Sequence, residues 1–155
     1  MIRNATAADL PQLAAALVRL QEAHVRAFPA LFRSFDDSAA LAHLSGLLSR
    51  EDAWVRVADD QGVVAGHAVF LIETKRESLF TPAQRFGHLA QIEVEPAYRR
   101  KGYGRLLLAD CERLAAEQCV GAIVLDVWAF NQTAKAFFQS RGYSEFGARL
   151  SREIL

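Results

Sequence analysis

A strand that halts at a proline, a basic glycine-bearing turn and the start of a helix follow one another in Val94-Glu95-Pro96-Ala97-Tyr98-Arg99-Arg100-Lys101-Gly102-Tyr103-Gly104-Arg105-Leu106-Leu107. This order constrains the chain more than any other feature, because a strand running through a short turn into a helix is the unit of a layered sheet-and-helix domain. Backbone N–H groups at a helix N-terminus lack intrahelical partners and carry partial positive charge, which suits a phosphate. Glycines let that backbone approach a ligand with no Cβ in the way. Arg99, Arg100, Lys101 and Arg105 add charge around the same point. The other reading is a solvated basic turn, and charge and glycine alone do not choose between the two. The spacing is neither that of a Rossmann fingerprint nor that of a P-loop, which needs a Lys-Ser/Thr pair.

The rest of the chain supplies elements of the same kind. Ile2 to Ala5 reads as a short strand, and Thr6 with Asp9 as a capping box. Leu10, Leu13, Leu17 and Leu20 then give a helical apolar stripe, which ends near Pro29. Ser38 opens a second helix through Leu41, Leu44 and Leu48. Trp54–Ala58 and Val63–Ile72 form a hairpin about the turn Asp59-Asp60-Gln61-Gly62. His88 to Glu95 is the next strand, and Tyr103 to Cys119 an amphipathic helix with Leu107, Cys111 and Leu114 inward and Glu112, Arg113 and Glu117 outward. Gly121–Trp128 is expected as a strand, Asn131–Arg141 as a helix stopped by Gly142, and Tyr143–Ile154 as a closing strand. The order β-α-α-β-β-β-α-β-α-β predicts one α/β (α+β) domain over residues 1–155, a mixed twisted sheet with helices on both faces.

Composition narrows the partners. Lys plus Arg and Asp plus Glu each number 18 in 155 residues, so no bulk attraction to nucleic acid or membrane is expected. Cys111 and Cys119 fall on one helix about 12 Å apart in rise, too far to bridge, and read as reduced thiols. The histidines are scattered and give no metal spacing. Met1-Ile2-Arg3-Asn4 has no signal-peptide core, and no apolar run reaches membrane length, so the expected location is cytoplasmic.

Arg99-Arg100-Lys101-Gly102-Tyr103-Gly104 matches the Arg/Gln-x-x-Gly-x-Gly/Ala signature of the GNAT superfamily of N-acetyltransferases. Two further segments agree: Ile2-Arg3-Asn4-Ala5-Thr6-Ala7-Ala8-Asp9 resembles the family's opening strand and capped helix, and the stretch from Asn131 to Tyr143 resembles its Asn-x-x-Ala-x-x-Phe-Tyr-x-x-x-Gly-Phe segment. The resemblance implies a GNAT-like acyl-CoA N-acyltransferase fold with acetyl-CoA as co-substrate and no metal. It implies that Ile92 and Val94 pair their backbone with the pantetheine arm, and that Arg99, Arg100, Lys101, Gly102, Tyr103, Gly104 and Arg105 hold the pyrophosphate. Asn131 would bond the pantetheine, or serve as an N-cap. Phe138 falls where the family places a general-acid tyrosine; its ring can pack on the cofactor but cannot donate a proton.

An amine attacks a thioester only when neutral, so a base is needed. The resemblance places it at His88, eleven residues before Arg99, and a neutral imidazole suits that work near pH 7. An ordinary strand histidine is the alternative, and Glu93 and Glu95 are rivals acting through water. His24, His43 and His67 read as structural. The expected activity is direct acetyl transfer to a primary amine of a small molecule, amino acid or peptide, through a tetrahedral intermediate. A strand N–H where the fourth strand parts from the fifth would steady the oxyanion. A non-catalytic acyl-CoA-binding sensor is the second expectation; acetylation of charged tRNA would call for a basic face that the zero net charge does not encourage. By the resemblance, the loops holding Phe28, Pro29, Leu31, Phe32 and Phe35, and Lys75 to Arg85, wall the acceptor site. The oligomeric state stays open; the resemblance brings in a homodimer by analogy alone.

Overall fold

The computed structural model describes residues 1–152 and 154. Its elements are β1 (Ile2–Asn4), α1 (Leu10–Ala27), α2 (Asp37–Leu48), β2 (Ala53–Asp60), β3 (Val63–Lys75), β4 (Gln84–Val94), α3 (Tyr103–Glu117), β5 (Ile123–Val124) and α4 (Gln132–Ser140). They fall into two compact units, Met1–Leu125 and Asp126–Leu155. The first unit holds a five-stranded sheet in the order β1-β2-β3-β4-β5. Neighbours from β1 to β4 are antiparallel, and β4 and β5 are parallel.

Local chemistry sets the element boundaries. The Asp9 carboxylate accepts from the Thr6 amide at 2.7 Å and its hydroxyl at 2.9 Å, which locks the entry to α1. Arg3 grips the same carboxylate through two nitrogens at 2.8 and 2.9 Å, and this hydrogen bonding holds Asp9 well below the usual carboxylate range. The β2–β3 hairpin turns on Gln61 and Gly62, both with positive φ (55° and 87°), as a two-residue type I′ loop requires. Asp59 and Asp60, expected in that turn, extend the strand instead, opposite Val64 and Val63.

Alternation along the strands sorts the two faces. Val55, Val57 and Val69 pack with Leu13 and Leu17 of α1 and Leu44 of α2. On α2 the buried positions are Ala40, Leu44 and Leu47, while Leu48, expected on the inner stripe, is 36% exposed. Between the two valines, Arg56 points to the opposite face and meets Asp110 of α3 at 2.6 Å. Leu107, Leu108 and Cys111 of α3 are fully buried, as is Phe70 of β3. Both cysteines are free, and burial pushes the Cys111 thiol up to about 12.

The expected strand Gly121–Trp128 contracts to Ile123–Val124, and the expected closing strand from Tyr143 does not form among the described residues; Glu153 lies outside them. In that last stretch Phe146, Leu150 and Ile154 share one face of a two-residue alternation, but no strand of the sheet pairs with it among the described residues. All three are exposed. Within the second unit, α4 ends in a Schellman motif. The Gly142 amide bonds Gln139 O and the Tyr143 amide bonds Phe138 O, both at 3.1 Å, with Gly142 at φ 89°. The rings of Phe138 and Tyr143 meet edge-on at 5.6 Å.

Candidate active site

β4 carries a bulge that decides what its side chains face. Val69 pairs with Gln91 but Phe70 pairs with Leu89, which leaves Ala90 as the extra residue. On a regular strand, His88 and Glu93 would point to opposite faces. The bulge shifts the alternation, so His88 (opposite Leu71), Gln91 (opposite Val69) and Glu93 (opposite His67) share the face that α1 and α2 cover.

β4 is also left open along one edge. Its pairing with β5 spans only Gly87 and His88, so Leu89 to Val94 have no strand partner on that side among the described residues. The Glu95 amide turns toward β3, donating to Ala65 O at 2.9 Å. Alternation then points the amides of Ile92 and Val94 the other way, out along the open edge. The Arg99 Nε donates to Val94 O at 3.1 Å, so that carbonyl is engaged while the amide stays available.

The open edge leads into the turn. Pro96–Tyr98 forms a 3-10 turn, Arg100 and Gly102 take positive φ (63° and 89°), and α3 begins at Tyr103. The first helical bond is Leu106 N–H to Gly102 O at 3.1 Å. The amides of Tyr103, Gly104 and Arg105 therefore have no intrahelical acceptor. Among the described residues none of Arg99, Arg100, Lys101 and Arg105 makes an ion pair with an acidic side chain. Tyr103 stacks edge-on against Tyr98 at 5.9 Å, and the Lys101 ammonium lies 4.9 Å from the Tyr98 ring centre.

His88 has a partner that the sequence did not suggest. Its Nδ1 lies 2.5 Å from Glu73 Oε1, across the diagonal of the β3–β4 ladder. An ionised carboxylate only accepts, so a neutral imidazole facing it puts its proton on Nδ1 and keeps Nε2 as an acceptor. The pair is partly open, with side chains 26% and 44% exposed. Glu93 is enclosed instead, its side chain 10% exposed, and burial raises its carboxyl while Arg19 of α1, 3.3 Å away, pulls it back. Glu95 also meets Arg19, at 2.9 Å. Asn131 caps α4, its Oδ1 accepting the Ala134 amide at 3.1 Å, and the Phe138 ring meets those of Phe137 and Tyr143 edge-on at 5.2 and 5.6 Å. Among the described residues, no group of three or more His, Cys, Asp or Glu could hold a metal ion, and no helix is long and apolar enough to cross a membrane.

A mixed sheet with helices on both faces, and a fourth strand whose free edge runs into a helix N-terminus, is a GNAT-like acyl-CoA N-acyltransferase fold. A profile of the Acetyltransferase (GNAT) family matches residues 17–143, and the chain belongs to that family. The chain is similar to a mutant of the BH1408 protein from Bacillus halodurans, with a TM-score of 0.93 at 25% identity over 100% of this chain and 99% of that one. It shares the fold of the aminoglycoside N-acetyltransferase AAC(6')-Iy in complex with CoA, with a TM-score of 0.75 at 19% identity, covering 99% and 93% of the two chains. It is 30% identical over 108 residues to the uncharacterized protein ML0378 of Mycobacterium leprae. That match takes in 64% of this chain and 29% of the relative, so the chain spans less than a third of the length of the curated relative it matches.

Proposed function

We propose that this protein transfers the acetyl group of acetyl-CoA to a primary amine. The observation that carries this reading is the continuous row of donors along β4 and into α3. The outward amides of Ile92 and Val94 come first, then the unbonded amides of Tyr103, Gly104 and Arg105, with four cations around them. An arm rich in amides followed by a pyrophosphate presents acceptors in that same order. Gly102 fits this role, because the space beside its Cα is open and no side chain stands between the backbone and a phosphate.

When bound, acetyl-CoA supplies the thioester carbonyl that the amine attacks. His88 Nε2 takes the amine proton as the C–N bond forms, and Glu73 holds the ring in the tautomer that leaves Nε2 free. The C–S bond breaks and CoA leaves as a thiolate, which solvent protonates readily since thiols titrate near 8.5. Glu93 offers a second route for the proton, through water. The other reading, an acyl-CoA sensor without turnover, draws on Phe138, which in the sequence takes the position of the family's proton-donating tyrosine.

Release of CoA thiol from acetyl-CoA over a panel of amines, amino acids and peptides tests the proposal. At least one amine should give turnover, and His88→Ala should lower it by roughly 10² to 10⁴. That loss should shrink at high pH, where the amine is already neutral. Binding without release for every acceptor would favour the sensor. Full rate in His88→Ala, together with a loss in Glu93→Gln, would move the base to Glu93.

A further inference from the structure

Three buried side-chain atoms on the α1-covered face of β3 and β4 make no hydrogen bond: His67 Nε2, Gln91 Oε1 and Glu93 Oε2. They belong to neighbours. His67 and Glu93 are directly opposed across the ladder, and Gln91 is two residues from Glu93 on the same face. Opposed Cβ atoms lie about 5 Å apart and diagonal ones about 7–8 Å, within reach of long side chains. His67 is only 2% exposed. The Gln91 amide lies close enough to His67 to act on it as a hydrogen-bond acceptor, but no bond of good geometry joins His67 Nε2 to Gln91 Oε1. Arg19 closes the patch from α1, holding Oε1 of Glu93 at 3.3 Å and leaving Oε2 turned inward.

Each buried polar atom without a partner costs about 1–3 kcal/mol, and three on one patch would be a heavy burden for an ordinary domain. One water matches all three valences. It donates one hydrogen to Gln91 Oε1 and the other to Glu93 Oε2, and it accepts the Nε2–H of a neutral His67.

We propose that His67, Gln91 and Glu93 build an internal water site, in which His67 is a positioning residue that fixes the inner oxygen of the Glu93 carboxylate through that water. The charged groups around Glu93 are Arg19 from α1, and Glu95 and Arg99 after β4, with the neutral His67 facing it from β3. Burial works against the charged carboxylate there, and the donating water supports it. The site orients Glu93 beside the β4 edge. It rests on the acetyl-transfer reading only for its use, not for its existence.

Titration of Glu93 by carbon-13 NMR, in protein labelled at glutamate and assigned with Glu93→Gln, tests the site without turnover. His67→Leu removes the donor and should move the Glu93 midpoint upward by about one pH unit. His67→Gln keeps an amide donor near the place of Nε2 and should restore the wild-type midpoint. A high-resolution structure of the wild-type protein should show an ordered water about 3 Å from all three atoms. An unmoved midpoint in folded His67→Leu overturns the proposal. So does a Gln91 amide turned to donate directly to Glu93 with no water between them; this second measurement decides the matter if His67→Leu does not fold. Loss of the water site would leave acetyl transfer standing, and a protein without turnover would leave the water site standing.

Discussion

His67 has the most enclosed imidazole in the chain's sheet, and its titration is written into the stability of the fold. Burial pushes it down to about 4 from its ordinary 6.5. Between those values the unfolded chain takes up a proton that the folded chain refuses, so stability falls as pH drops through that window. Above 6.5 the group has no effect on stability. Linkage puts the cost at about 2 kcal/mol by pH 5. Melting curves from pH 7.5 to 4.5 should show this loss in the wild type and a shallower one in His67→Gln, which has nothing to titrate. Parallel curves for the two proteins would mean that the imidazole is not held neutral. None of this has a local sign in the residues: His67 sits in the run Val63–Ile72 like any strand residue, and its burial comes from β4 on one side and α1 above. Glu73 was equally hidden as a partner of His88, being fifteen positions away on another strand.

At the scale of the element, β4 is where pattern reading and geometry part. The strand-to-helix turn around Gly102 was legible because its chemistry is local: proline stops the strand, Gly102 takes φ 89°, and the helix starts one residue later. Which face each β4 side chain takes was not legible, because the extra residue Ala90 is defined only by its pairing with β3. That one residue puts His88 on the side of Glu93. Gly87, beside it, shows how tightly this end of the strand is packed. A Cβ there would lie 2.4 Å from Cζ of Phe70, whose ring is fully buried and has nowhere to swing. Gly87→Ala should therefore destabilise by about 2 kcal/mol through overpacking, read as a fall in melting temperature. Adding Phe70→Leu should recover part of that loss. An unchanged melting temperature in the single variant would mean that the ring and strand yield more freely than the packing implies.

For the whole molecule, the mixed sheet, the capped α1, the β2–β3 hairpin and both faces of α3 followed from apolar spacing and turn residues. The closing strand did not: Phe146, Leu150 and Ile154 fall on one strand face, yet among the described residues that stretch pairs with no strand and all three stay exposed. Membership in the GNAT family, matched over residues 17–143, accords with two of the segments that resemble it, Arg99–Gly104 and Asn131–Tyr143; Ile2–Asp9 lies before the matched span. What ties fold to function is the cradle at the start of α3, and its claim is thermodynamic: a ligand bound only by the folded chain must stabilise it. The most direct measurement is a thermal-shift titration with acetyl-CoA, on wild type and on Gly102→Glu, which puts a side chain and a negative charge where the phosphate would sit. At a hundredfold excess over the dissociation constant, the wild type should gain about 2.7 kcal/mol, and the folded variant should gain little or nothing over its own baseline. Equal stabilisation of the two, or none in the wild type at any concentration, would contradict the account.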